Sequence, residues 1–237
     1  MATYAADLHI HTILSPCAEV EMIPPLIVAR AIEAGLDIIT ITDHNSAENV
    51  EAVIEAAEGT ALRVLPGMEC ETVEGVHMVC IFDEVAAAMA LQERVYARLP
   101  DLPNRPETFG AQFVVDKEGE FIRYNERLLL VPSDLSIEDV WSITTGLGGL
   151  AFPAHVDRSA YGVYGVLGFM PSHPVFPAVE ISSQITPEDA RAKYPDLNGK
   201  RLFRSSDAHR LSEIGAGKTV LELRHRTVAE IRMISGE

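Results

Sequence analysis

The sequence predicts an α/β fold made of parallel βα units, closed as a barrel or opened as a doubly wound sheet. Three observations carry that expectation. Short apolar, β-branched runs alternate with helical patterns over most of the chain. Its 237 residues are enough for one sizeable α/β core. Nearly every unusual polar residue falls at the end of an apolar run, where a parallel βα architecture collects its active site.

Residues 4–9 read as a strand, and 24–34 as a helix with Pro24 and Pro25 in its first turn and Gly35 at its C-cap. The β-branched run 36–42 is a buried parallel strand. Asn45 and Ser46 then cap a helix through Glu58, with Val50, Val53, Ile54 and Ala57 on one face. Residues 62–66 and 76–82 are further strands, followed by a helix over 85–98. The alternation breaks at 99–127, where Pro100, Pro103 and Pro106 interrupt it and 113–122 forms a hairpin with a tight turn. Residues 136–145 are helical, starting at a capping-box-like Ser136-Ile137-Glu138-Asp139. Strands follow at 150–153, 178–181, 202–204 and 219–223, with a last helix over 228–234. There is no internal repeat and no linker-like stretch. One domain over 1–237 is expected, carrying an insertion at about 99–127.

The charge balance is 19 Lys and Arg against 35 Asp and Glu, a net −16. That surface repels polyanions, so nucleic acid is a disfavoured partner, while a small phosphorylated substrate is not excluded. Three cysteines without a Cys-x-x-Cys spacing make a disulfide framework unexpected and point to a reducing, cytoplasmic compartment. No apolar run approaches the roughly 20 residues that cross a bilayer, and the N-terminus lacks a signal-peptide pattern. Composition does not address the oligomeric state.

Six of the eight histidines stand at ends of apolar runs, close to carboxylates. His9 and His11 close the first strand, Asp43 and His44 the second, and Glu69 the third. His77 begins a strand, His155 follows Phe152-Pro153, and Asp207 and His209 follow Leu202-Phe203. In His-x-His on a strand both side chains share a face, so one cation can take both, and Asp207-x-His209 is expected to repeat that geometry. Asp7 is expected to orient a histidine. His173 and His225 are left out as surface residues, Glu19 and Glu21 as solvated ones, and Cys70 and Cys80 as buried apolar ones. No nucleophile elbow, phosphate loop or dinucleotide fingerprint competes. Mixed imidazoles and carboxylates converging from strand ends describe a multinuclear metal site, for zinc, manganese or iron rather than magnesium alone.

Taken in order, Asp7-Leu8-His9-Ile10-His11-Thr12, Ile41-Thr42-Asp43-His44-Asn45, Pro66-Gly67-Met68-Glu69, His77, Pro153-Ala154-His155-Val156-Asp157-Arg158 and Ser205-Ser206-Asp207-Ala208-His209 resemble the PHP family, named for polymerase and histidinol phosphatase. The resemblance spans nearly the whole chain. It implies a distorted (β/α)7 barrel with a phosphoesterase metal site at the C-terminal ends of parallel strands. It implies that His9, His11, Glu69 and Asp207 hold one metal, that Glu69 bridges to a second held by His77 and His155, and that His44 and His209 hold a third. The remaining ligand of the third site, often Asp or His in the family, falls at Cys17. A thiolate is a competent zinc ligand, so either Cys17 binds, or Glu19 reaches in, or the third site is weak.

The function expected is hydrolysis of a small phosphomonoester, such as a nucleotide, a nucleoside bisphosphate or histidinol phosphate, by a metal-bridged hydroxide. Arg158, and after it Arg204, is expected to neutralise the phosphate oxygens. His209 or Asp43 is the expected proton donor to the leaving group. The alternatives are a metal-dependent nuclease acting on nucleic-acid ends, or a non-catalytic module that binds metal or phosphate.

Overall fold

The computed structural model describes residues 1–236. Its strands are β1 (Ala2–Ile10), β2 (Ile38–Ile41), β3 (Arg63–Glu71), β4 (His77–Ile81), β5 (Phe113–Val115), β6 (Phe121–Tyr124), β7 (Leu150–Pro153), β8 (Ala178–Ile181), β9 (Arg201–Arg204) and β10 (Thr219–Leu223). Its helices are α1 (Pro24–Glu33), α2 (Val50–Ala56), α3 (Val85–Tyr96), α4 (Pro106–Phe109), α5 (Ile137–Gly146), α6 (Val163–Val166), α7 (Pro187–Lys193) and α8 (Val228–Ser235).

Six strands form one curled sheet, a half-barrel, in the order β10-β1-β2-β3-β4-β7. The β1–β2 and β2–β3 pairs are parallel, as the βα reading expects. The pairs β10–β1, β3–β4 and β4–β7 are antiparallel, which corrects the expectation of uniformly parallel strands. The cause is local. Residues 72–76 are too few for a crossover helix, so β3 turns straight back into β4. The parallel β8–β9 pair lies alongside. Val156 N donates to Glu180 O at 2.9 Å on one side, and Ile10 bridges Ala208 on the other.

Leu8, Ile38, Leu65, Val79, Phe152 and Phe203, one from each of six strands, pack in one buried cluster on the inner face. The alternate residues Ile39, Ile41, Met68, Cys70, Met78 and Cys80 join the other cluster, with the helices. This is the period-two division of a strand buried on both faces.

Helix α2 starts later than expected. Asn45 has a φ of 51°, which stops a helix there, and Ser46 Oγ donates to Gln92 Oε1 at 3.0 Å instead of capping. β3 runs past its expected end because its last residues gain β4 as a partner, so Glu69 lies within a strand, opposite Val79 in the middle of β4. The segment between α3 and α5 holds the expected hairpin, β5–β6, turned around Asp116, whose Oδ1 accepts from Glu118 N and Glu120 N. Among the described residues no helix is long and apolar enough to cross a membrane.

Candidate metal centre

The end of β1, the turns after β1, β2, β7 and β9, the end of β3 and the start of β4 bring His9, His11, His44, Glu69, His77, His155, Asp207 and His209 together. Three groups have ligand atoms within 4.8 Å of one another: His9, His11, Glu69 and Asp207; His44, Glu69 and His77; and His11, His44 and His209. In the first group His9 Nε2 lies 3.1 Å from His11 Nε2, 3.3 Å from Glu69 Oε1 and 3.2 Å from Asp207 Oδ1. His11 Nε2 lies 3.0 Å from Asp207 Oδ1 and 3.4 Å from Glu69 Oε2. Donors about 2.1 Å from one ion stand roughly 3.0–3.4 Å apart along the edges of its octahedron or tetrahedron. His155 Nε2 joins from the other side, 3.1 Å from Glu69 Oε1.

The hydrogen bonds behind these rings fix which nitrogen faces the cluster. His9 Nδ1 donates to Glu180 Oε1 at 3.0 Å. His11 Nδ1 donates to Ser15 Oγ at 2.9 Å, and Ser15 in turn donates to Asp43 Oδ1 at 2.7 Å. His209 Nδ1 donates to the Asp207 carbonyl at 2.9 Å. Each ring then turns a lone pair on Nε2 inward, the tautomer a metal ligand needs. Two such lone pairs 3.1 Å apart, on His9 and His11, repel unless a cation or a proton lies between them.

Other ligand atoms are buried without any hydrogen-bond partner, Glu69 Oε2 and His77 Nδ1 among them. His77 Nδ1 comes within 2.8 Å of Glu69 Oε1 but is not aligned to hydrogen-bond it, as for two donors aimed at a shared point. The donor set therefore fits divalent metal ions.

Without metal the cluster stores protons instead. Burial opposes charge on His9, but Glu180, Glu69 and Asp207 outweigh it and hold His9 well above the usual histidine range. Burial, with His209 and His44 beside it, keeps His11 well below that range. Burial would raise Glu69, yet His77, His9 and His44 hold it well below the usual carboxylate range.

The expected residues outside these groups find different places. Asp7 does not touch a histidine; its oxygens accept from Ser206 N and Gly215 N, both at 2.9 Å, so it shapes the turn that carries Asp207. Asp43 is enclosed, its carboxylate held by Thr12 N, Thr12 Oγ1 and Ser15 Oγ at 2.7 Å each, which makes it a brace for His11 rather than a free proton donor. Arg204 faces away, donating to the carbonyls of Ile185 and Ser183. Asp207-x-His209 is no strand repeat, because Asp207 has a φ of 51° in a turn. Arg158 pairs with Asp207 at the cavity wall. Cys17 is exposed and belongs to none of the three groups. Partial enclosure pushes its thiol up, but hydrogen bonds with His209 and His44 outweigh that and bring it to about 7.

Sequence reasoning missed three contributors. Glu180 is 1% exposed and also accepts from His155 N at 3.0 Å, so one carboxylate orients ligands from two strands. Its signal was a lone charge inside the apolar run 178–181. Ser15 and Tyr161 carried no signal, since both stand in irregular turns.

A cavity of about 270 Å³ opens onto the cluster, lined by Cys17, His44, Glu69, Glu71, His77, Leu130, His155, Arg158, Tyr161, Asp207 and His209. Asn45 Nδ2 donates to the carbonyls of Leu129 and Val131 at 2.9 and 3.0 Å, fastening the Leu130 wall to the turn that carries His44.

The PHP domain family matches residues 7–137. Among solved structures the chain is similar to the lesion-specific endonuclease PfuEndoQ from Pyrococcus furiosus, with a TM-score of 0.72 and 19% identity over 98% of this chain and 55% of that one. It thus spans about half the endonuclease's length. It is also similar to a protein described as a metal-dependent phosphoesterase from Bifidobacterium adolescentis (TM-score 0.56, 17% identity, 97% of this chain and 94% of that one). An amidohydrolase from Chromobacterium violaceum is comparable (TM-score 0.58, 18% identity, 97% and 96%). At these identities the likeness shows the fold. No curated protein sequence matches the chain. The family match takes in more than half of the chain, including His9, His11, His44, Glu69 and His77. The chain belongs to the PHP domain family.

Proposed function

We propose that the chain hydrolyses a small phosphomonoester whose phosphate seats between the donor cluster and Arg158. The observation that carries this reading is the cavity. It has about 270 Å³, donors along one wall, and Arg158 as the one cationic side chain among the described residues that line it. That is just below the usual range for ligand pockets, about 300–1,000 Å³, and suits a compact ester rather than a polymer. The same reading takes 1–237 as one domain whose strands complete a distorted (β/α)7 barrel with the metals at its rim, working in the cytoplasm.

His9, His11, Glu69 and Asp207 would hold one ion, Glu69, His77 and His155 a second, and His44 and His209, with Cys17, a third. Bound zinc, manganese or iron supplies Lewis acidity and a water of lowered pKa. Arg158 binds the non-bridging phosphate oxygens, exchanging its pairing with Asp207 for the substrate. Glu180, Ser15 with Asp43, and the Asp207 carbonyl hold His9, His11 and His209 in the ligand tautomer, so no proton rearranges on these rings during turnover. Leu130 and Tyr161 shield the centre from bulk water.

Phosphate release from a panel of phosphomonoesters, by protein reloaded with manganese or zinc, tests the proposal, with Asp207→Ala as control. Release from one compound class, abolished in the variant, is expected. Silence from a metal-loaded protein favours the second reading, a nuclease. Two observations support that reading. One is the likeness to PfuEndoQ, a lesion-specific endonuclease. The other is that Arg158 also lines neighbouring cavities of about 440 and 320 Å³.

A further inference from the structure

We propose that Asn45 is a specificity-determining residue. Its side chain fixes how far the Leu130 wall stands from the metal donors, so that a phosphate with one ester arm fits the site and one with two arms does not. This rests on the phosphoesterase reading and deepens it.

Asn45 is fully buried, and its side-chain amide is bonded at both ends. The backbone N–H donates to Glu69 O at 2.8 Å, and Oδ1 accepts from Glu71 N at 3.1 Å. Nδ2 donates to Leu129 O and Val131 O, the carbonyls on either side of Leu130. An acceptor facing an N–H and a donor facing two carbonyls leave the amide one orientation. The residue therefore ties together the turn that carries His44, the end of β3 that carries Glu69, and the segment that carries Leu130. Its φ of 51° lies in the left-handed region, which glycine, asparagine and aspartate adopt most readily. Of these three, asparagine alone also brings an amide donor for the wall.

A second buried amide holds the same segment from the other direction. Gln112 Oε1 accepts from Leu129 N at 3.0 Å, and Gln112 Nε2 donates to Asn125 O at 2.9 Å. Beyond the wall, Ser133 N and Ser133 Oγ both donate to Glu71 O at 2.9 Å, so the chain stays anchored to β3 without Asn45. The wall thus belongs to the folded segment between α3 and α5, and Asn45 is its direct link to the turn of His44. The neighbouring cavities of about 440 and 320 Å³ meet the site at Arg158, and Leu130 lines neither. One ester arm can leave past Arg158, while a second, on the opposite side of the phosphate, would run into Leu130.

The test compares kcat/KM for para-nitrophenyl phosphate and bis(para-nitrophenyl) phosphate, which share a leaving group and differ by the second ester arm. Asn45→Asp keeps the left-handed backbone and the bond to Glu71 N, but turns a donor into an acceptor facing two carbonyls, which releases the wall. Leu130→Ala shortens the wall and leaves Asn45 in place. Wild type, both variants and the double variant are assayed at equal manganese content. The wild type should favour the monoester. The diester-to-monoester ratio should rise about tenfold or more in each single variant, carried by a lower KM for the diester, which a merely loosened fold would not produce. The double variant should gain no more than the better single, because both changes remove the same wall. A ratio that stays at the wild-type value in either single variant, or gains that multiply in the double, overturns the proposal. So does a wild type that prefers the diester. If none of the proteins turns over either ester, the phosphoesterase reading falls, and hydrogen exchange of residues 128–132 decides the role of Asn45. Faster exchange there in Asn45→Asp, with β3 unchanged, upholds its hold on the wall, and wild-type exchange overturns it.

Discussion

Replacing Glu180 by glutamine removes one charge from the interior and almost no volume. Glu180 Oε1 accepts from His9 Nδ1 and from His155 N, both at 3.0 Å, and Oε2 lies 3.2 Å from His9 Nδ1. The amide oxygen can keep the bonds at Oε1, so the fold should survive. The interaction with His9 falls from charge-assisted to neutral strength, a change of about 1–1.5 kcal/mol. The ring also loses the carboxylate that raises its basicity, and removing such outer partners costs metal affinity by roughly 10–100-fold. We expect the glutamine variant near the lower figure, about tenfold weaker, equivalent to ~1.4 kcal/mol. Competition for zinc against a chromophoric chelator, on stripped and reloaded protein, reads this directly. Circular dichroism of the metal-free forms should be superimposable. Affinity within twofold of wild type would show that Glu180 only fills space, and the orientation argument would fail.

Arg158→Ala should lower kcat/KM for the preferred phosphomonoester about 100-fold or more while leaving zinc affinity within a few-fold; unchanged kinetics would remove Arg158 from the phosphate site. Because His9 is held well above its usual range in the metal-free protein, cation uptake should expel protons, so apparent affinity should rise with pH. Calorimetry in two buffers of different ionisation enthalpy reads this proton release, and identical heats would refute it. Gly162→Ala pushes a methyl group into two carbonyls and should cost about 1–3 kcal/mol in the thermal unfolding of the whole protein, with weaker metal binding; a wild-type Tm would contradict it. Burial, with Glu48 alongside, raises the Tyr96 phenol to about 12. The protonated form is the stabilised one, so its contribution is complete below about pH 10 and is lost as pH rises toward 12. A 295 nm titration of wild type against Tyr96→Phe should show a phenol ionising about two units late, and its absence would place Tyr96 in solvent.

Much of the centre is legible in the sequence because its ligands must be particular residue types at the ends of apolar runs. His9, His11, His44, Glu69, His77, His155, Asp207 and His209 announce themselves in this way. The α/β pattern and most strands are legible too, since period and β-branching are local properties. Direction is not. β4 runs antiparallel because the 72–76 connection is short, and a run of apolar residues reads the same in either direction. The start of α2 was misplaced because Ser46 found Gln92, 46 residues away, in place of a capping role.

The supporting residues depend still more on tertiary structure. Glu180 meets His9 across 171 positions, and Asp7 meets Ser206 across 199. Arg204 and Asp43 are charged residues near the motifs, but their partners are backbone carbonyls in one case and a serine and threonine in the other. Sequence determined which groups could bind metal, because coordination chemistry restricts residue type. Only the folded chain decided which groups aim them, because a hydrogen bond depends on position in space, which separation along the chain does not encode.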